Sequence, residues 1–256
     1  MRAPQSELPI VAADVLDRLR ERRPRVHCIT NAVAQNFTAN MLLAAGAVPS
    51  MTIAPSEIKA FVARADALLI KLGTFDAERQ KASLAAVATA NKQRIPWVLD
   101  PVFIDRSPPR ARLAKQLAAL APRAVRLNPA EFGALAGEKS DDGSLARYAK
   151  TRRTVVGLTG ERDLVCDASR FAIIANGHPL MARVTAMGCA VSALTAACLA
   201  VEGDAWLATA AALILIGVAG EIAAERARGP GSFAMEIVDA VYDLERDAVI
   251  ARAKVS

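Results

Sequence analysis

Hydrophobic and polar residues follow two patterns along this chain. Residues 7–21 carry apolar side chains at helical spacing with charged side chains between them, which predicts an amphipathic helix. Residues 26–30 form a short and largely apolar run, which predicts a buried strand. The same alternation continues through the chain. It indicates βαβ units and therefore an α/β fold with a mostly parallel central sheet and helices on both faces.

The pattern predicts eight strands, at residues 26–30, 47–53, 67–71, 96–99, 124–127, 154–158, 164–166 and 171–174. It predicts helices at residues 7–21, 36–45, 57–64, 76–94, 110–120 and 129–136, and over most of the chain from Cys189 onward. The polar stretch 139–144 is interpreted as a loop rather than a domain boundary. We therefore expect residues 1–256 to form a single domain.

Composition narrows the function classes. Of the 256 residues, 53% are hydrophobic but only 4% are aromatic, which favours helices packed on a sheet over a β-sandwich. The net charge of +6 suits a phosphorylated ligand, but no block of basic residues is interleaved with aromatics, so no nucleic-acid partner is expected. Four cysteines without a C-x-x-C pair argue against zinc. Unpaired thiols, together with a charged N-terminal region unlike a signal peptide, predict a cytoplasmic protein.

Two uncharged segments, residues 189–201 and 205–220, resemble membrane helices in composition. Each is shorter than the roughly 20 apolar residues that a bilayer span needs. We expect them to be helices buried in the core or at a subunit interface, with no membrane partner.

Polar residues follow the ends of the predicted strands. In open α/β sheets, ligands bind outside the carboxyl ends of the strands, so these residues are candidates for the site. They are Asn31, Gly73, Thr74, Asp100, Asn128, Thr159 and Gly160.

The segment from Ala186 to Cys189 opens an apolar helix with a glycine-containing turn. Unpaired backbone N–H groups at a helix start bind phosphate, so Gly188 is a candidate for contacting one. At such a position the pKa of the Cys189 thiol is expected to fall. The alternative is that Cys189 is a small buried side chain that only packs the helix.

Two carboxylates could serve a metal. Asn128 and Glu131 are spaced to hold water molecules around Mg²⁺, or else to form a plain capping box at a helix start. Asp100 could bind a metal or a polar substrate, or could simply begin a turn before proline. His27 and His178 are interpreted as structural histidines.

The order and spacing of several motifs over residues 8–202 resemble the hydroxyethylthiazole kinase family. The motifs are VHCIT-N (26–31), NFTAN (36–40), LLAAGA (42–47), LGT (72–74), PWVLDPV (96–102), TGE (159–161) and NGHPLM (176–181). The resemblance implies a ribokinase-like fold, assembled as a homotrimer with substrate sites between subunits. It also implies ATP-dependent phosphorylation of the primary hydroxyl of 4-methyl-5-(2-hydroxyethyl)thiazole, a step of thiamine salvage.

The resemblance also assigns roles to residues. Met51 matches a thiazole-contacting methionine, and Asn31 of the opening motif is assigned to the substrate with it. Cys189 matches the cysteine that this family carries where other ribokinase-like enzymes have a catalytic aspartate. Arg126 and Thr159 match ATP-contacting positions, Gly188 matches a glycine at the substrate and phosphate end, and Asn128 with Glu131 fits the Asn-x-x-Glu pair that organises Mg²⁺ in the wider fold. From their places at strand ends, Asn128 is also expected to contact ATP and Asp100 the metal.

The chain departs from the family pattern in three places. Ala186 and Met187 replace Gly-Thr before Gly188, and an alanine is strained if its position needs a positive φ. Residues 103–106, Phe-Ile-Asp-Arg, replace a Gly-x-Gly-Ala type loop, and Lys71 replaces an asparagine. Two alternatives therefore stay open: a kinase of another small heterocyclic alcohol, or a catalytically weak nucleotide- or thiazole-binding homologue with a sensing role.

Overall fold

The strands of the protein form one sheet in the computed structural model, which describes residues 5–256. In chain order they are β1 (Arg25–Ile29), β2 (Val48–Ser50), β3 (Ala67–Lys71), β4 (Trp97–Asp100), β5 (Ala124–Leu127), β6 (Val155–Leu158), β7 (Asp163–Cys166) and β8 (Phe171–Ile174). Their order across the sheet is β2-β1-β3-β4-β5-β6-β7-β8. Neighbours from β2 to β6 are parallel, and β7 and β8 are antiparallel additions. The predicted mostly parallel sheet is confirmed.

Helices cover both faces of the sheet, as the alternating pattern predicted. One face carries α3 (Ile58–Ala63), α4 (Ala77–Gln93), α5 (Pro108–Ala118), α6 (Pro129–Ala136) and α7 (Asp142–Arg152). The other carries α1 (Leu8–Arg22), α2 (Gln35–Ala44), α8 (Met187–Val201), α9 (Ala205–Arg226), α10 (Pro230–Tyr242) and α11 (Arg246–Arg252). Each face has its own apolar core, because side chains alternate between the two sides of a strand.

The two uncharged segments are core helices. By length and composition α9 could cross a membrane, but 78% of its apolar window is buried inside the protein. It packs against α1, α8 and α10, while α8 lies directly on β1, β3 and β4. A helix that is apolar all round is expected where neighbours cover every side. The prediction of buried helices is confirmed.

Two predictions were wrong by more than the shifts of one or two residues seen at other element ends. Residues 139–144 are not all loop, because α7 begins at Asp142, and the sequence pattern gave no sign of this helix. Asp141 caps it by accepting a hydrogen bond from the backbone N–H of Ser144, so a polar run that resembled a turn is a helix start. The second strand spans only Val48–Ser50 rather than residues 47–53. Pro49 suits this short strand, because β2 lies at the edge of the sheet.

The end of the chain returns to the sheet beside β8. The backbone N–H of Ile173 donates to the carbonyl of Ser256 at 2.8 Å, and the N–H of Ser256 donates back at 3.0 Å. The N–H of Ala175 donates to the carbonyl of Lys254, whose Nζ lies 3.0 Å from Glu221 Oε1. The outer edge of β8 is therefore paired.

Candidate functional site

A row of polar side chains ends the face of the sheet on which α8 lies. Leu69 of β3 and Val98 of β4 belong to the core on this face. Because side chains alternate along a strand, residues two positions further on reach the same face at the carboxyl ends of the strands. These residues are Thr30, Lys71, Asp100 and Arg126.

The Asp100 carboxylate is the centre of this row and is fully buried. Its Oδ2 lies 2.6 Å from Lys71 Nζ and 2.5 Å from Ser192 Oγ, and both groups donate to it. Arg126 Nη1 lies 3.6 Å from the same oxygen. Its Oδ1 has no hydrogen-bond partner within residues 5–256. Two cations and a hydroxyl therefore compensate one buried negative charge.

Ser192 was not foreseen from the sequence. It lies in the otherwise apolar α8, one turn after Gly188, with its Oγ 3.1 Å from the Gly188 carbonyl oxygen. A lone serine in an apolar helix commonly bonds the preceding turn, so its spacing gives no sign of a partner 92 residues away.

Gly188 allows Arg126 to approach the start of α8. A β-carbon on Gly188 would lie 3.0 Å from Arg126 Nη1 and 3.6 Å from its Cζ. The guanidinium thus lies against the backbone at the first turn of the helix, where N–H groups have no intrahelical partner. A fixed cation and a helix N-terminus meet here, and both favour an anion.

Ala186 immediately precedes α8 and is in the left-handed conformation, with φ 73° and ψ 0°. Its side chain cannot cap the helix, and an L-residue pays a conformational cost in this region. The sequence predicts strain here if the position needs a positive φ, and Ala186 has one.

Cys189 lies in the first turn of α8, but the expected fall in the pKa of its thiol was wrong. Burial raises the pKa of the Cys189 thiol, and this outweighs the lowering effect of Lys71, the Thr30 hydroxyl and Arg126. A helix start lowers a thiol pKa only where the thiolate stays partly solvated, whereas Cys189 is 3% exposed. The side chain is therefore a neutral thiol at neutral pH.

Asn128 and Glu131 form the capping box of α6. Glu131 Oε2 accepts from the backbone N–H of Asn128, and Asn128 Oδ1 accepts from that of Glu131, both at 2.9 Å. Glu131 Oε1 accepts from the N–H of Phe103, also at 2.9 Å. Burial raises the pKa of Glu131 although these N–H groups lower it. The capping-box alternative is therefore confirmed. Each carboxylate oxygen of Glu131 accepts one of these hydrogen bonds and keeps one lone pair for a further donor.

The loop after Asp100 carries the substituted residues. Phe103 has a φ of 57° and is 52% exposed, in a position where glycine is the usual residue. The Arg106 guanidinium lies 5.8 Å from the centre of the Phe103 ring. The loop thus carries an exposed aromatic ring and an arginine, and its backbone is fixed to Glu131 through the Phe103 N–H.

Asn31 lies against the Leu72-Gly73-Thr74 turn. A β-carbon on Gly73 would overlap Asn31 Oδ1, at 0.9 Å, so only glycine allows this approach. The Oδ1 atom is buried and has no hydrogen-bond partner within the described residues. A hydrogen bond also joins the segment after β1 to this turn, because Thr74 Oγ1 accepts from the Ala32 N–H at 3.0 Å.

Thr159 and Met51 lie on opposite sides of this centre. Thr159 follows β6, and its N–H donates to the Leu127 carbonyl at 2.9 Å, which continues the β5–β6 pairing next to Asn128. Met51 follows edge strand β2 and packs partly buried against the core under α8. Because β2 is three strands from β4, Met51 lies roughly 14 Å across the sheet from Asp100. The structure therefore brings together Asp100, Arg126, Gly188 and Cys189, with Met51 apart.

The other histidines and cysteines lie outside this centre. His27 is fully buried, with Nδ1 2.8 Å from Ser50 Oγ and Nε2 3.0 Å from the Thr52 carbonyl, while His178 is exposed. All four cysteines are free and buried. Within residues 5–256, no group of three or more His, Cys, Asp and Glu side chains is arranged to hold a metal ion.

Comparison with known proteins decides the family. The profile of the hydroxyethylthiazole kinase family matches residues 16–247. The chain belongs to the hydroxyethylthiazole kinase family. It is 44% identical over 247 residues to the hydroxyethylthiazole kinase of Klebsiella pneumoniae, covering 91% of this chain and 96% of that protein. The resemblance seen in the sequence motifs is confirmed.

Solved structures agree with this assignment. The hydroxyethylthiazole kinase structure from Pyrococcus horikoshii superposes with a TM-score of 0.92 at 38% identity, covering 96% of this chain and 98% of that one. A ribokinase-like superfamily protein from Enterococcus faecalis shares the fold, with a TM-score of 0.71 at 16% identity, covering 91% of this chain and 95% of that one. The predicted ribokinase-like fold is confirmed.

Proposed function

We propose that this protein is a hydroxyethylthiazole kinase that transfers the γ-phosphate of ATP to the primary hydroxyl of 4-methyl-5-(2-hydroxyethyl)thiazole, a step of thiamine salvage. Family membership supports the reaction class. The observation that carries the proposal is the contact between the Arg126 guanidinium and Gly188 at the start of α8. A cation and free backbone N–H groups meet there, which is the combination that phosphoryl transfer needs.

The geometry supports the following roles. Arg126 and the amides around Gly188 hold the transferring phosphoryl group and stabilise the charge that develops on its oxygens. Asn128 and Thr159, at the ends of β5 and β6, line the ATP side. Because phosphoryl transfer depends mainly on positioning and charge, these groups supply most of the catalysis.

Cys189 orients the substrate hydroxyl. Its thiol is neutral and stands within the electrostatic reach of Lys71, Asp100 and Arg126. A neutral thiol is a poor general base but can hydrogen-bond the attacking oxygen. We therefore assign Cys189 a modest catalytic contribution, in keeping with a loose transition state.

Magnesium would enter with ATP and would neutralise charge on its phosphates. Glu131 fits an outer role toward Mg²⁺, since each of its oxygens keeps one lone pair for water around the ion. Asp100 fits less well, because Lys71 and Ser192 both use its Oδ2.

The thiazole side includes Met51 and Asn31, whose buried Oδ1 has no hydrogen-bond partner in residues 5–256. Met51 follows the edge strand β2, which contacts α2. Exposed apolar side chains lie in α2 and just before it, among them Val33 and Leu43, which are 78% and 55% exposed. A neighbouring subunit that covers this region would complete the substrate site, which supports a homotrimer of single-domain subunits in the cytoplasm. A mass of three times 27.0 kDa by light scattering is expected.

A kinase of another small heterocyclic alcohol is the second candidate, and the Phe103–Arg106 loop favours it. This loop adds an exposed ring and an arginine, and the backbone of Phe103 bonds Glu131. A Phe103→Gly variant distinguishes the two. If the loop excludes hydroxyethylthiazole, Phe103→Gly has a higher kcat/KM for hydroxyethylthiazole than the wild type. The wild type then has its highest kcat/KM for a different alcohol.

Release of ADP from purified protein and Mg-ATP, with and without hydroxyethylthiazole, tests the proposal. A thiazole-dependent signal that Arg126→Ala abolishes and Cys189→Ala lowers is expected. Matched controls are Arg112→Ala, an exposed arginine of α5, and Cys198→Ala, a buried cysteine further along α8. Both controls should keep the signal.

A flat trace from folded wild-type protein would reject the thiazole as substrate. Thermal stabilisation by nucleotide would then separate the remaining alternatives. Stabilisation by ATP with turnover of another alcohol indicates a retuned kinase, and stabilisation without turnover of any alcohol indicates the weak, sensing homologue.

A further inference from the structure

Lys71 and Asp100 form a buried ion pair at the carboxyl ends of adjacent strands. They are partners in the β3–β4 register, and their side chains are 3% and 0% exposed. The Nζ to Oδ2 distance is 2.6 Å. An ion pair this deeply buried must gain enough from its partner to offset the loss of water.

The pair is not closed, because both partners keep unused hydrogen-bonding groups. The Lys71 ammonium has three N–H donors, and within residues 5–256 its one hydrogen bond goes to Asp100. Asp100 Oδ1 is buried and has no partner there. Buried donors and acceptors without partners are costly, so their presence at a site indicates a polar ligand.

A divalent ion at Asp100 conflicts with this arrangement. Mg²⁺ binds carboxylate oxygen at about 2.0–2.1 Å, so an ion on either oxygen would lie close to the Lys71 ammonium. Arg126 Nη1, 3.6 Å from Oδ2, adds a second positive charge. Repulsion between cations is poorly screened in a buried site. The Lys71 charge already neutralises the carboxylate.

We propose that Lys71 is a resident cation of the phosphate site and takes the place of a divalent metal at Asp100. This inference rests on the proposed kinase function, in which positive charge must surround the transferring phosphoryl group. Lys71 and Arg126 supply two fixed charges beside Cys189 and the start of α8. Divalent metal then acts only as part of the ATP complex, and Asp100 positions Lys71 instead of ligating metal.

Binding of Mn²⁺ to the nucleotide-free protein tests this directly, with the signal of free Mn²⁺ followed by electron paramagnetic resonance. The wild type should show no Asp100-dependent binding at about 1 mM Mn²⁺. Lys71→Asn removes the charge and adds an oxygen donor, so it should bind one Mn²⁺ at least about tenfold more tightly. The double variant Lys71→Asn with Asp100→Asn should lose that site.

The control is Lys115→Asn, which removes an exposed lysine of α5 and should bind no more Mn²⁺ than the wild type. Wild-type binding that Asp100→Asn abolishes would overturn the proposal, and so would a folded Lys71→Asn variant without a new site. If Lys71→Asn does not fold, the comparison of wild type with Asp100→Asn still decides. The measurement uses neither ATP nor thiazole, so its outcome is independent of whether ADP is released.

Discussion

Nη1 of Arg126 lies 3.0 Å from the place that a β-carbon on Gly188 would occupy. The two residues are far apart in sequence, but β5 and α8 bring them together at the carboxyl end of the sheet. The contact depends on the missing side chain, because any larger residue would push the guanidinium away from the helix start.

Gly188→Ala should therefore lower kcat/KM for ATP by roughly tenfold or more without unfolding the protein. The guanidinium is the flexible end of a long side chain and can move aside, and alanine favours helix by about 1 kcal/mol over glycine. Steady-state ADP release and urea denaturation measure the two effects. Gly133→Ala is the matched control, since its β-carbon meets only ordinary contacts on α6. Unchanged ATP kinetics in Gly188→Ala would remove Arg126 from the phosphate site.

Ala186→Gly should stabilise the protein by about 1 kcal/mol, because an L-residue at φ 73° pays a cost that glycine does not. Adding Met187→Thr should also raise turnover sharply if strain impairs the start of α8. Ala121, with a φ of 57°, provides the control. Ala121→Gly should give a similar gain in the free energy of unfolding and no change in turnover. If the Ala186→Gly variants turn over no faster than Ala121→Gly, the strain at Ala186 has no catalytic effect.

Ser192→Ala should lower the free energy of unfolding by about 1.5–3 kcal/mol, because it removes the hydrogen bond that Ser192 donates to the buried Asp100 carboxylate. Thr195→Val on the same helix also removes one buried hydroxyl while conserving volume. That hydroxyl donates to the Val191 carbonyl of the preceding turn, an uncharged acceptor, so the loss should be smaller. Chemical denaturation of both variants gives the comparison. Equal losses would mean that the Ser192 contact with Asp100 contributes no more than a helix back-bond.

Acid should destabilise the protein through His27. Burial lowers the pKa of His27 to about 4, below the value of about 6.5 in an unfolded chain. The unfolded state therefore binds more protons between pH 6.5 and 4, and the free energy of unfolding falls by about 3 kcal/mol as the pH drops through this window. His27→Gln should remove this part of the slope, measured by urea denaturation at several pH values. His178→Gln changes the exposed histidine and should keep the slope. A full slope in His27→Gln would assign the acid sensitivity to other groups.

The sequence predicts much of the fold because its signals are local. The bounds of β3, β5, β8 and α6 match the predicted ranges, since apolar runs end there at turn residues. The start of α7 was missed because Asp141 and its neighbours have the composition of a turn as well as of a helix cap. A local sequence that suits both a turn and a helix cap becomes a helix start only when the following residues pack as a helix against the rest of the protein.

The candidate site was predictable by position more than by contact. The position of Asp100 at a strand end correctly marked it as a site candidate, because parallel strands end at one edge of the sheet. Arg126 lies inside β5 and was marked only by the family resemblance. The sequence could not show that Ser192 and Lys71 share Asp100 Oδ2, since neither has a local signature. The direction of the Cys189 pKa also depends on burial by distant segments, which outweighs the helix start.

The pairing of residues 254–256 with β8 leaves the sheet with unequal edges. On the β8 side, backbone N–H and C=O groups are occupied by the chain's own end. The opposite border is β2, which is short and contains a proline. Unpaired borders of sheets recruit strands from other molecules, and this chain protects the longer border by folding its last residues over it. Residues 254–256 thus cover backbone groups of β8 that could otherwise pair with a strand of another molecule.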